Sequence, residues 1–349
     1  MPKRPIFARR HARAVPTEAR GRLELVEAKR LAGFAPVPSR RTIQRFEDTR
    51  YFVHATPLIG DAPKNFVSVH VPGYSKRDDP ETWPQFIAKV GHKRYPTESI
   101  TEHLLTRIGE CFGLEMARSR LMSFRGQIRF LSEYFLQGEE ILLHGAQIVS
   151  SYLEDPDFED FSAAVRKARL EPEIFTFLTL SRAILTRFTV DGAALVDGLV
   201  RAIAYDALVG NHDRHLYNWG VIVEARGQEP PRFAPLFDTA RALFWNESED
   251  ELARRDENSI RAYVEKSKPV IGVERAKGIN HFELMYAVAA EGARYVRVLQ
   301  DLKNDVALEE TMEMIDREFG EMLSECRRDR IKRCLAVRYD RYCKVLSEC

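Results

Sequence analysis

An apolar series at helical spacing, Leu195, Leu199, Ala202, Ile203 and Leu208, runs down to Gly210 and stops there. The segment that follows, Gly210-Asn211-His212-Asp213-Arg214-His215-Leu216-Tyr217-Asn218-Trp219, reads as a loop. Beyond it, two short apolar runs, Trp219 to Val223 and Arg232 to Phe237, flank the turn-prone stretch Ala225-Arg226-Gly227-Gln228-Glu229-Pro230-Pro231. A hairpin there returns the chain and sets Asp238 beside Asn218, twenty residues behind it. Taken singly, Asn211, Asp213 and Asn218 are ordinary polar loop residues and Asp238 is a cap. Helix, loop, hairpin and carboxylate in this order are hard to obtain by accident, and they constrain the fold more than any other feature.

The same residues suit one chemistry. Phosphoryl transfer needs a carboxylate to receive the proton of the acceptor hydroxyl, and further oxygen ligands to hold Mg²⁺ on the phosphates of ATP. Asp213 fits the first task; Asn218 and Asp238 fit the second. The five-residue step from Asp213 to Asn218 equals the Asp-to-Asn step of the protein-kinase catalytic loop. His215 is expected to brace the loop or the metal-site Asp238.

On these residues the chain resembles the HipA-like serine/threonine kinases, including the shorter CtkA-like members. The family's Gly-Asn-x-Asp-x-His-x-x-Asn element is complete as Gly210, Asn211, Asp213, His215 and Asn218, and its Ala-Pro-x-x-Asp element is present as Ala234, Pro235 and Asp238. More loosely, the likeness extends upstream to about Phe66. Tyr217 departs from it, standing where many members carry a basic residue. The resemblance implies an α+β, two-lobed protein-kinase-like fold, ATP with Mg²⁺, and a protein Ser/Thr acceptor. Because members often serve as the toxin of a toxin–antitoxin pair, it also implies an acceptor in the translation machinery and an antitoxin-like partner. Phosphatidylinositol and secretory-pathway kinases carry related Asp-Arg-x-x-x-Asn loops, so a small-molecule or lipid kinase stays open. A pseudokinase or binding module is the non-enzyme alternative.

A kinase also needs a cation for the α/β-phosphates and a helix carboxylate to hold that cation. Gln85-Phe86-Ile87-Ala88-Lys89-Val90 is strand-like and offers Lys89; Lys93 lies past Gly91, outside the strand. Ile100, Leu104, Leu105, Ile108, Cys111 and Phe112 mark one face of a helix that ends near Gly113. Glu102 and Glu98 are its acidic candidates, and the family's spacing to Gly113-Leu114 selects Glu102. Its alternative role is in a capping box, Ser99-Ile100-Thr101-Glu102.

Between a strand at Asn65 to Val71 and the lysine strand, Gly73-Tyr74-Ser75-Lys76-Arg77-Asp78-Asp79-Pro80 is expected to cover the phosphates, although it matches neither Gly-x-Gly-x-x-Gly nor Walker A. An acidic-basic surface turn explains it as well. By analogy with a loop serine of HipA proteins, Ser75 is a candidate for phosphate contact and autophosphorylation. The runs Met116 to Phe124 and Gln127 to Phe135 form a hairpin around Arg125-Gly126. Its second strand ends in Glu133, Tyr134 and Phe135, hinge candidates for adenine that edge-strand chemistry explains equally well.

These readings divide the 349 residues into a basic arm (1–49), a β-rich lobe (50–137) and a helical lobe (138–349). Thirteen Lys/Arg against five Asp/Glu give the first fifty residues a net +8, leaving about −7 for the rest. Such an arm can attract nucleic acid, an acidic protein or an anionic membrane surface. With few aromatic residues for base stacking, it also reads as a tail with an amphipathic helix from about Thr17 to Leu31, docked on the protein's own negative body. A hydrophobic content of 44% supports a large core. There is no apolar run of about eighteen residues and no signal-peptide pattern, so a cytoplasmic protein is expected. Five cysteines without Cys-x-x-Cys spacing read as reduced thiols. His281 onward is apolar-periodic and helical to Leu346, and the charged stretch Asn246 to Asp256 occupies the place of an activation segment.

Overall fold

The computed structural model describes residues 23–24, 43–47, 50–55, 64–91, 97–154, 174–274 and 276–349. Most of the basic arm, the greater part of the Thr17 to Leu31 stretch, and Lys93 lie outside the described residues.

Six strands form the first sheet: β1 (Gln44–Arg45), β2 (Tyr51–Val53), β3 (Lys64–Val69), β4 (Gln85–Val90), β5 (Ser119–Phe124) and β6 (Gln127–Glu133). Their spatial order is β1-β5-β6-β4-β3-β2, and every pairing is antiparallel except β1 with β5. Period-two alternation explains the burial of β4: Phe86, Ala88 and Val90 are buried, whereas Gln85, Ile87 and Lys89 are intermediate. One face packs on Val67, Val69, Met122, Leu131 and Leu23. Helix α1 (Glu98–Cys111) covers the other, its Ile100, Leu104 and Ile108 sharing a core with Leu121, Ile128 and Phe130.

The sheet begins earlier than the expected boundary at residue 50. Gln44 and Arg45 pair with Met122 and Ser123, and Phe46 is buried edge-on against Tyr51 and Phe124 at 5.1 and 6.5 Å between ring centroids. Such short apolar pieces are stabilised by the aromatic cluster they join, a long-range contact that local periodicity does not report.

The rest is mainly helical: α2 (Gly145–Tyr152), α3 (Phe177–Arg187), α4 (Gly192–Val209), α5 (Glu249–Ala253), α6 (Glu257–Lys266), α7 (His281–Ala290), α8 (Ala293–Gln300), α9 (Asp305–Phe319) and α10 (Glu325–Glu348). Central among these is α4, buried over most of its length, including Leu195, Leu199, Ile203, Tyr205 and Leu208. It ends at Gly210, whose φ of 78° is left-handed and whose N–H bonds the Asp206 carbonyl at 2.8 Å. A Cβ added at this glycine would also strike the Arg338 guanidinium, standing 2.9 Å from it. The expected hairpin is β8 (Gly220–Glu224) with β9 (Arg232–Phe233). A third strand, β7 (Glu140–His144), extends that sheet beside β8.

A short backbone connection ties the first sheet's chain to the segment before Asp238. Leu236 N–H donates to the Glu115 carbonyl and Ala117 N–H to the Leu236 carbonyl, at 2.8 and 2.9 Å. These bonds tie the link between α1 and β5 to the chain two residues before Asp238. The five cysteines are free thiols. Among the described residues no helix is long and apolar enough to cross a membrane.

Candidate active site

The loop after α4 is shaped by a buried ion pair. Arg214 makes a bidentate contact to Asp206 of α4, Nε to Oδ2 at 2.9 Å and Nη2 to Oδ1 at 2.8 Å. Its Nη1 donates to the backbone carbonyls of Asn218 (2.8 Å) and Phe237 (3.1 Å). A single planar guanidinium therefore fixes the positions of Asn218 and the residue before Asp238 relative to each other. Asn211, also buried, donates from Nδ2 to Asp206 Oδ1 at 2.9 Å and accepts the Asp213 N–H at 3.3 Å. His281, at the start of α7, donates to the Asn211 carbonyl at 2.8 Å. Burial, reinforced by Arg338, pushes the His281 pKa down to about 3, so this brace is neutral.

Lys89 reaches down from the sheet, its Nζ 2.9 Å from Glu102 Oε1 and 2.9 Å from Asp238 Oδ1. The lysine strand, the α1 carboxylate and the post-hairpin Asp thus converge on one ammonium. Glu102 is spent on this contact and not on capping: α1 starts after Thr97, and Ser99 already lies inside the helix. Burial alone favours neutral Lys89, but the two carboxylates outweigh it and raise the lysine's pKa, so it stays charged. One cation cannot satisfy both anions equally. Burial pushes Glu102 up to about 7 against the pull of Lys89, with Asp238 and Glu98 adding to the rise. Asp238 goes the other way: burial is outweighed by Lys89, Lys64 and His215, which hold it below the usual carboxylate value.

Asp213 lies on the same loop and pairs with Arg241, Oδ1 to Nη1 at 3.3 Å. The amide nitrogen of Asn218 donates to the Asp213 carbonyl at 2.7 Å, leaving its Oδ1 as the atom to offer a cation. An amide oxygen and a carboxylate are hard donors suited to Mg²⁺, which takes one or two protein ligands and completes its shell with substrate phosphates and water. No cluster of three or more His, Cys, Asp or Glu suited to a metal occurs among the described residues.

A family model, the HipA-like C-terminal domain, matches residues 57–321. The chain belongs to the HipA-like family. Its fold is also that of the Helicobacter pylori proinflammatory kinase CtkA, with a TM-score of 0.70 and 15% identity over 88% of this chain and 97% of that one. HipA of Shewanella oneidensis MR-1, solved with HipB and operator DNA, superposes less well: TM-score 0.44, 15% identity, 75% of this chain and 59% of that one. No curated protein matches the sequence. Family and fold together support a HipA-type kinase in general terms.

Ser75 lies in the β3–β4 connection, which leaves the sheet at Gln85, whereas Lys89 pairs with Lys64 at the far end of the same strands. Four residues of extended chain, about 13 Å, separate the two ends. The Ser75 hydroxyl is moreover engaged with Val71, accepting its N–H at 2.9 Å and donating to its carbonyl at 3.2 Å. The turn expected to cover the phosphates is self-bonded, closed further by Trp83 Nε1 on the Lys76 carbonyl at 2.7 Å, and its Tyr74 ring packs on Arg120 of β5, 5.6 Å away. At the end of β6, the N–H groups of Glu133 and Tyr134 are already given to Arg118 and Gln85, at 2.7 and 2.8 Å. Phe135 turns its ring towards Phe237, 5.7 Å between centroids, next to the metal-site candidate Asp238. His215 accepts the Tyr217 N–H at Nδ1, 3.2 Å away, and lies near enough to Asp238 to favour its carboxylate form.

Lys64, Asp206, Arg214 and Arg241 were missed by sequence reasoning. A trace of signal existed for Arg214, an arginine within a loop otherwise read residue by residue. Lys64 stands one residue before the expected strand, and only strand register sets it opposite Lys89.

Proposed function

We propose that this HipA-like protein is an ATP-dependent kinase that transfers the γ-phosphate to a Ser or Thr hydroxyl of a protein. The convergence of Lys89, Glu102 and Asp238 beside the Asp213–Asn218 loop carries this reading, because it supplies a phosphate cation, its anchor, metal ligands and a base together. Lys89, anchored by Glu102, orients the α/β-phosphates. Asn218 and Asp238 hold Mg²⁺, which when bound offsets charge on the phosphate oxygens. Asp213 orients the acceptor hydroxyl and receives its proton as the oxygen attacks phosphorus. His215 steadies the loop. Glu133, Tyr134 and Phe135 border the adenine region, with backbone carbonyls and the Phe135 ring as the groups on offer. Residues 50–137, extended back to Gln44, and residues 138–349 serve as the two lobes. The protein acceptor, an antitoxin-like partner and a cytoplasmic location complete the proposal on family grounds, and the basic arm is its candidate for nucleic-acid or acidic-protein contact.

Incubation with Mg·ATP and lysate, followed by mass spectrometry of proteins and of extracted lipids and metabolites, tests it. Phosphoserine or phosphothreonine that disappears with Asp213→Asn is the expected result. Phosphorylated lipid or small molecule in its place would move the chain to the other acceptor class, and no ATP turnover at all would make it a binding module.

A further inference from the structure

The transferring phosphoryl group is stabilised by hydrogen-bond donors carrying positive charge beside it, and several basic side chains near the loop are already committed. Lys89 is shared between Glu102 and Asp238. Arg214 is buried and bonded to Asp206 and to two backbone carbonyls. Position 217 of the loop is a tyrosine. His212 stands beside Trp245, but burial of its ring and the nearby Arg241 both lower its pKa, which keeps it neutral.

Arg241 lies three residues after Asp238 and meets the loop from the other side. Its Nη1 is 3.3 Å from Asp213 Oδ1. Its guanidinium rests on the Trp245 ring, 5.5 Å from the centroid, and its carbonyl accepts the His212 N–H at 3.3 Å, tying backbone to backbone. The side chain is 42% exposed, so a ligand can reach it. Geometry then fixes what it would touch. An acceptor oxygen must come within about 3 Å of the Asp213 carboxylate, and phosphorus within about 3–3.5 Å of that oxygen. A guanidinium in contact with Asp213 is therefore within one side-chain adjustment of the equatorial phosphoryl oxygens. Its flat fork can give one N–H to a carboxylate and others to a phosphate, which an ammonium on a flexible stem does less well.

We propose that Arg241 is a further catalytic residue, donating N–H hydrogen bonds to the transferring phosphoryl group as it leaves ADP; the inference rests on the phosphoryl-transfer reading above. In the step, the acceptor oxygen–phosphorus bond forms and the bond from phosphorus to the β,γ-bridging oxygen breaks, its electron pair departing with ADP. The acceptor proton passes to Asp213. Arg241 exchanges no proton; it offsets charge on the oxygens and, before the nucleotide arrives, neutralises Asp213.

Arg241→Ala and Arg241→Lys, compared with wild type, test this by steady-state kinetics, by Mg·ADP binding with and without aluminium fluoride as a phosphoryl mimic, and by added guanidinium ion. Loss of one preorganised donor predicts a kcat about 10²–10³-fold lower in the alanine variant with KM for ATP nearly unchanged. The mimic should tighten Mg·ADP binding in wild type only, free guanidinium should restore part of the lost rate, and lysine should recover less than arginine. An alanine variant with wild-type kcat, or one whose loss tracks weaker Mg·ADP binding and a lower Tm without guanidinium rescue, overturns the proposal. A wild type that neither turns over ATP nor binds Mg·ADP removes the kinase reading and the inference with it, whereas an active wild type matched by the variant removes the inference alone.

Discussion

Two clusters of buried opposite charges flank the junction of Asn218 and Asp238, and they are built for different ends. In the first, Arg214 and Asp206 are 2% and 5% exposed and match one cation to one anion in a bidentate pair. Both N–H groups of Nη1 go to backbone carbonyls, so the side chain is committed to holding the loop. In the second, one ammonium serves two carboxylates, and Asp238 keeps 39% of its side chain accessible. Burial there pushes Glu102 up against the pull of Lys89, while Lys89, Lys64 and His215 hold Asp238 down. A matched, closed pair holds a loop in place; a shared, half-open one leaves a carboxylate within reach of solvent. The proposed chemistry rests on the second and is supported by the first.

If this contrast is sound, the largest loss should follow from breaking the matched pair. Arg214→Ala leaves Asp206 buried without a partner and unties both carbonyls, so a destabilisation of about 3–5 kcal/mol is expected in chemical denaturation, with activity lost as the loop moves. A variant as stable as wild type would mean that solvent already reaches this pair. Asp213→Asn should behave in the opposite manner, lowering turnover by about 10²–10⁴-fold while the melting temperature and Mg·ATP affinity stay put. Retained turnover would take the proton-accepting role from Asp213. For Asp238→Ala the expected change lies in binding: Mg·ATP affinity measured by titration should fall by about tenfold or more, about 1.4 kcal/mol, because a charged oxygen ligand is gone. Unchanged affinity would place the metal elsewhere.

The smallest effect is one of pH. Glu102 has a folded-state pKa of about 7 against an ordinary 4.5, so the folded protein holds a proton that the unfolded chain releases. Its contribution to stability is fully present below about pH 4.5 and is lost as pH rises through 7. Without nucleotide or Mg²⁺, wild type should therefore lose melting temperature relative to Glu102→Gln across that window. Parallel pH profiles would show that Lys89 alone compensates both carboxylates.

How much of this could be read from the chain depends on how far the contacts reach. Asp213 and Asn218 share one loop, and Asp238 is returned by a hairpin whose turn is written in Gly227, Pro230 and Pro231. Lys89 was legible from a strand-like run, and Glu102 from the family's spacing within the periodic helix that follows; the structure brings them to 2.9 Å. The Ser75 hydroxyl bonds within its own turn, to Val71, a contact that no motif announces. Strand β7 escaped because Glu140 to His144 shows no alternation of buried and exposed positions, and only pairing with β8 makes it a strand. The first strand escaped likewise, being two residues long.

By itself the sequence determined the order of elements, the residue types of the catalytic loop and the carboxylate behind the hairpin, because periodicity, turn chemistry and loop spacing act over a few residues. Only the tertiary structure decided which charges meet. Lys64 opposite Lys89, Arg214 on Asp206, and Arg241 on Asp213 each depend on how strands register or how a loop is pinned from below, and electrostatic interaction falls with distance in space and not along the chain.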